Sequence, residues 1–252
     1  ESAQFGGVMI DGASSSENVW IIDGAGTNDL IGGRNAQGAV FEFVEEIQVR
    51  SGGYEAEFGG SMGGVVNVVT RSGGNEFHGS GNVYWENDML DGGGNPGLQI
   101  NPWDGETVEY FNGNDDDYNR VDIGGSLGGY VLKDRIWFFG SYMPWFDKID
   151  RTLKWSDDGV NFETYNYEYE REQHNAAIKV SAQVTDKLRA SGSWSTDWYQ
   201  RGDANNFPGR NSRTGTPGNY DPEITWTYPG WYVAGNVDYM ISNNFYSNAK
   251  FG

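Results

Sequence analysis

From about residue 74 onward, side-chain character in this chain flips at nearly every position. That period of two belongs to an extended strand with one apolar face. Phe77, Gly79, Gly81, Val83 and Trp85 alternate with Glu76, His78, Ser80, Asn82 and Glu86. Val121, Ile123, Gly125, Leu127, Gly129 and Val131 repeat the stripe against Arg120, Asp122 and Ser126. An apolar run from Ile136 to Phe146 follows, whose two faces the sequence does not separate. Ala176 to Val184, Leu188 to Trp198, Trp231 to Ile241 and Phe245 to Phe251 alternate in the same way, giving seven predicted strands. Their connections alternate too. Links at 133–135, 185–187 and 242–244 are about three residues long, whereas those at roughly 86–117, 148–164 and 201–224 are long and polar.

Strands of about ten residues cross a bilayer at a tilt, and short turns alternating with long loops are the pattern of outer-membrane barrels. Soluble sandwiches alternate as well, but their strands usually run about five to six residues. The mean hydropathy of −0.64 does not oppose a membrane reading, because outward apolar and inward polar residues average out. No apolar run is long enough for a membrane helix, which needs roughly 18 residues. Trp85, Trp145, Trp194, Trp198, Trp231 and Tyr239 sit near strand ends, as interfacial girdles require. A seven-strand wall would leave two unpaired edges in lipid. The chain opens at Glu1 without Met and stops at Gly252 in mid-pattern, so the remaining barrel is expected beyond Gly252.

Composition removes other classes. The net charge of −19 excludes a nucleic-acid partner, which needs clustered Lys and Arg. The absence of cysteine excludes disulfides, thiolate metal sites and cysteine nucleophiles. His78 and His174 are the only imidazoles and lack triad spacing. Residues 86–117 hold nine acidic side chains and no Lys or Arg. A solvated acidic face accounts for them, with Asp115, Asp116 and Asp117 as a weak candidate for Ca²⁺, a hard cation that takes oxygen ligands. A glycosidase carboxylate pair would need a cleft that nothing here predicts. The expected class is therefore not an enzyme.

Residues 1–73 differ in kind: short apolar runs at 19–22, 44–49 and 65–69 lie between glycines, as in a compact mixed unit. The stretch Ser51 to Gly64 lacks both the Gly-Lys-Ser/Thr ending of a P-loop and the dinucleotide glycine spacing. Its glycines serve close backbone approach instead.

The order "ENVWIIDG" then "FEFVEEIQVRSGGYEAEFGGSMGGVVNVVTRSGGNEFHGS" closely resembles the plug of TonB-dependent outer-membrane receptors running into their first barrel strand. "GGNEFHG" and "VLKDRIWFFGSY" resemble the Oar-like branch of that superfamily. The resemblance implies a mainly β fold: residues 1–73 as the carboxyl-terminal half of a plug, and residues 74–252 as the first strands of a barrel of the 22-strand class. Matching the family motifs, Asp23, Gly24, Glu45, Glu46, Arg50, Gly52, Gly53, Gly63, Gly64 and Arg71 would serve plug folding and plug–barrel contact. Arg120, Asp122, Lys179, Arg189 and Asp197 become candidates for lumen lining or plug contact. The implied activity is ligand transport across the outer membrane of a Gram-negative-type bacterium. Energy would come from a TonB-type inner-membrane complex, acting through a segment upstream of Glu1. Its partners would be outer-membrane lipid and an unidentified extracellular ligand. A surface anchor or adhesion protein that uses its extracellular loops remains the alternative.

Overall fold

The computed structural model describes residues 9–29, 40–53, 61–92, 94–113, 116–203, 206–210, 212–214, 220–242 and 244–252. Four strands near the amino terminus form one small sheet: β1 (Val19–Ile22), β2 (Ala25–Gly26), β3 (Val44–Arg50) and β4 (Val65–Thr70), in the order β2-β1-β4-β3. β4 runs parallel to β1 and antiparallel to β3. A central strand covered on both faces reads as a nearly continuous apolar run, and Val65, Val66 and Val68 are accordingly buried. β3 is an edge strand whose exposed Glu45, Glu46 and Arg50 discourage further pairing.

The rest is a wall. Its strands in chain order are β5 (His78–Asn87), a separate hairpin of β6 (Gly97–Ile100) and β7 (Val108–Phe111), then β8 (Asp116–Leu132), β9 (Ile136–Trp155), β10 (Glu163–Thr185), β11 (Leu188–Arg201), the short β12 (Trp226–Tyr228), β13 (Trp231–Ser242) and β14 (Phe245–Phe251). Among the described residues, β5, β8, β9, β10, β11, β13 and β14 pair antiparallel with their chain neighbours in one sheet, and β12 adds to the upper end of β11. These are the seven strands that alternation predicts.

Register separates the two faces. Ser80, Ser126, Ser141, Ala177 and Ser195 are paired across successive strands and so share a face. On that face Phe139, Met143 and Ala177 pack around Phe43, the residue that leads into β3 of the small sheet. The small sheet therefore lies on this side. Val121, Ile123, Leu127, Ile178, Val180, Val233 and Val237 stand on the opposite side, where Ile123, Leu127, Ile178, Val180 and Val233 are 44–52 % exposed. The strand from Ile136 thus resolves into an outward row ending at Phe146 and an inner row through Trp137, Phe139, Ser141, Met143 and Trp145.

Two expectations need correction. Trp145 lies on the inner face rather than in an outward girdle. Its ring takes the guanidiniums of Arg120 and Arg171 at 4.9 and 5.8 Å. The connection expected at 148–164 also shrinks to 156–162, because β9 continues to Trp155 and β10 begins at Glu163. The physical reason is an inversion of the pattern. Beyond Phe146 the outward positions become Lys148, Asp150, Thr152 and Lys154, while the inner ones include Ile149, Leu153 and Trp155. Leu153, Trp155 and Tyr167 form a buried cluster, with Tyr165, Phe207 and Tyr220 against it. A stripe followed only on its outward side ends where the strand does not.

Candidate functional site

Asp23 and Gly24 join β1 to β2 as a two-residue hairpin, with Ile22 paired to Ala25. Both have positive φ, 50° and 88°, the requirement of a type I′ turn that Asp-Gly meets best. The turn places the Asp23 carboxylate beside the end of β4. One oxygen accepts from the Thr70 backbone N–H at 3.0 Å and the other from the Thr70 hydroxyl at 2.5 Å. Lys179 reaches the same group from β10: its Nζ lies 2.9 Å from Asp23 Oδ1 and donates to the Thr70 carbonyl at 3.0 Å. Both side chains are largely enclosed, with 6 % of the Asp23 and 13 % of the Lys179 side-chain area exposed. The sequence singles out both residues but does not join them; the fold closes the 156 positions between them.

Further contacts tie the small sheet to the wall. Tyr84 of β5 donates to Glu42 Oε1 at 2.7 Å, and Tyr232 of β13 packs on the cluster that Ile10 forms with the small sheet's Ile22, Val66 and Val68. Arg71 is held within the small sheet, its N–H on the Phe43 carbonyl and its Nε on that of Val44. Gly63 and Gly64 answer to crowding. A Cβ on Gly63 would fall 2.5 Å from Asn18 Oδ1, and one on Gly64 2.5 Å from Ile10 Cδ1. Gly52 and Gly53 are exposed, with open space where a Cβ would stand. Glu45, Glu46 and Arg50 lie exposed along β3, and Glu46 accepts from Gln48.

The remaining candidates lie on the inner face but do not converge. Arg120 pairs with Asp122 at 3.0 Å, Arg189 stands opposite Asp238 across β11 and β13, and Asp197 is buried opposite Asn175. The calcium candidate does not assemble. Asp116 and Asp117 are successive residues of β8, not of a loop, so they point to opposite faces. Asp116 is claimed by Arg151, whose Nε and Nη2 donate at 2.6 and 2.5 Å. Asp115 lies outside the described residues. Among the described residues no group of three or more His, Asp or Glu could hold a metal ion, whereas Ca²⁺ takes about six to eight oxygens.

A second centre, absent from the sequence reading, gathers the three long connections around Arg213. Its Nη2 donates to Glu109 of β7 at 2.7 Å, and its guanidinium lies 4.0 Å from the Phe111 ring and 5.1 Å from that of Trp103. Its carbonyl accepts from Ser156 N, while Trp103 Nε1 donates to the Ser156 carbonyl at 2.9 Å. In the 156–162 connection, hydrogen bonds from the Asn161 and Val160 backbones, then from the Asn161 and Ser156 side chains, hold the Asp158 carboxyl well below its ordinary value. The available signal was charge: residues 86–117 carry no Lys or Arg, while residues 201–224 supply Arg201, Arg210 and Arg213.

The wall, its outward apolar band and the sheet lodged on its inner face define an outer-membrane β-barrel protein. Residues 69–155 match the model of an outer membrane beta barrel domain. Over 158 residues the chain is 41 % identical to the TonB-dependent transporter Oar of Myxococcus xanthus, a match spanning 61 % of this chain and 14 % of that protein. The chain is thus similar to a TonB-dependent outer-membrane transporter of the Oar kind, and the barrel-domain match and this likeness place it in the outer membrane. The siderophore receptor PirA from Acinetobacter baumannii superposes with a TM-score of 0.44 at 16 % identity, over 96 % of this chain and 37 % of that one.

Proposed function

We propose that this chain is part of a receptor that moves a ligand through a plugged barrel. Residues 1–73 are the carboxyl-terminal half of the plug, and residues 74–252 begin the barrel. The long connections face outward and receive the ligand. A TonB-type inner-membrane complex acts through a segment upstream of Glu1 and shifts the plug, with no chemical step. The observation that carries the reading is the Asp23–Lys179–Thr70 junction. It is a small set of polar contacts that a modest displacement would part, at the boundary where such a shift must occur.

Fastening the two parts tests it. A Cβ on Gly252 would fall 2.3 Å from Ala25 Cβ, which brings the pair within disulfide range after a small backbone adjustment. In the full-length receptor carrying Ala25→Cys and Gly252→Cys, closing the bond should abolish uptake, spare ligand binding and be reversed by reductant. Undiminished uptake with the bond verifiably closed would overturn the moving plug and favour the surface-anchor reading.

A further inference from the structure

The β6–β7 hairpin pairs only with itself among the described residues. Its register sets Leu98 opposite Tyr110 and Ile100 opposite Val108, so these four side chains share one face. All four are 59–74 % exposed. The other face is engaged: Glu109 and Phe111 are gripped by Arg213, and Trp103 in the connecting turn bonds Ser156 and meets Phe162 edge-on. The hairpin is thus fixed through that face and presents an apolar face that none of the described residues covers. An ordered apolar patch rimmed by polar groups marks an interaction surface.

The surrounding charge says what fits. The tip carries Asp104 and Glu106, both exposed. Hydrogen bonds from the Thr107 hydroxyl, then from the backbones of Glu106 and Thr107, hold Asp104 ionised below the ordinary carboxylate range. Glu109, the hairpin's other acid, is already neutralised by Arg213. No Lys or Arg occurs anywhere in 86–117. An anionic lipid surface would be repelled, and an acidic partner likewise. We infer that the exposed face of the β6–β7 hairpin docks a cationic amphipathic polypeptide segment, its apolar side chains on Leu98, Ile100, Val108 and Tyr110 and its Lys or Arg side chains on the carboxylates at the tip. Complementary charge sets the partner's sign and speeds encounter; the apolar face supplies the burial.

The inference rests on the outward placement of the long connections, so the experiment separates the two. The full-length receptor in detergent would be titrated with three fluorescein-labelled synthetic peptides of about ten residues, alternating Lys/Val, Glu/Val or Lys/Ser, with fluorescence anisotropy of the peptide as the readout. The Lys/Val peptide should bind at least about tenfold tighter than either control. Ile100→Ser with Val108→Ser should remove that preference, and Glu106→Lys should weaken it, without loss of the folded barrel. On intact cells, Val108→Cys should react with a membrane-impermeant maleimide. Failure to label would overturn the outward placement and the docking face together. Labelling without peptide selectivity, or selectivity untouched by the double variant, would overturn the docking face alone. Binding to anionic vesicles that equals or exceeds binding of the Lys/Val peptide would likewise overturn it, assigning the face to lipid.

Discussion

Replacing Lys179 by Met keeps most of the side-chain volume but removes the charge that meets Asp23. With both partners almost fully enclosed, the loss leaves a carboxylate with little access to water. Breaking a buried pair from one side costs about 3–5 kcal/mol. Asp23 keeps its two bonds from Thr70, so about 3 kcal/mol, the lower end of that range, is the expected cost. Asp23→Asn loses the charge, strands the ammonium and weakens the Thr70 bonds, and should cost a similar amount. Because the two changes remove one shared interaction, the double variant should cost less than their sum by about 2 kcal/mol. Urea unfolding of the receptor in micelles supplies the three free energies. Hydrogen exchange at Ile22 and Ala25 separates undocking of the small sheet from melting of the wall. Additive costs, or exchange that accelerates equally throughout β9 and β10, would refute the junction as the fastening point.

Three further outcomes follow from the same geometry. Val180→Arg on the outward face should cost about 2–4 kcal/mol near mid-membrane, whereas Gln183→Glu on the inner face, directly opposite Arg189, should cost little; equal costs in a lipid refolding assay would contradict the sidedness. Gly64→Ala should destabilise by about 1–3 kcal/mol through the clash with Ile10, while Gly52→Ala, with open space around it, should be silent; comparable unfolding midpoints would count against the crowding. Asp158 should titrate well below the ordinary value of about 3.9. Because its pKa is lowered in the folded protein, the order of the 156–162 turn should persist through mild acid and be lost only as pH falls through that lowered value. A carboxyl resonance with an ordinary midpoint would refute the capping.

Much of the wall is legible because lipid imposes one simple rule on one face, and the strands obey it from Val121 to Val131 and from Ala176 to Val184. The rule fails where lipid ends. Above Phe146 burial comes from within, through Leu153, Tyr167 and Tyr169, so polar outward residues there read as loop. Trp145 is misread for a related reason: a tryptophan near a strand end suits a girdle equally well as a partner for Arg120, and only register decides. At the junction the local half is readable, because Asp-Gly after a β-branched run demands a tight hairpin. The pairing with Lys179 is not. One lysine among several inward polar residues carries no mark of its partner until the small sheet is docked. Asp116 illustrates the converse, a residue whose neighbours in sequence are acids and whose neighbour in space is Arg151.

The reversal of polarity along β9 and β10 also fixes depth. Immediately past the apolar band, the outward positions carry Lys148, Asp150, Glu168, Glu170 and Glu172. At the other end, the tight turns hold Lys133, Asp134 and Arg135, and Asp186 and Lys187. Sliding the wall toward the short turns by two residues, about 6–7 Å along a strand, would draw the first of these outward charges toward hydrocarbon. For charges nearing mid-bilayer the toll reaches about 2–4 kcal/mol for Lys, less for Asp and Glu. Sliding the other way would submerge the turns. The strands therefore behave as a shaft between two collars, seated at one height, so that a force pulling on the inner sheet would part it from the wall rather than drag the wall through the membrane.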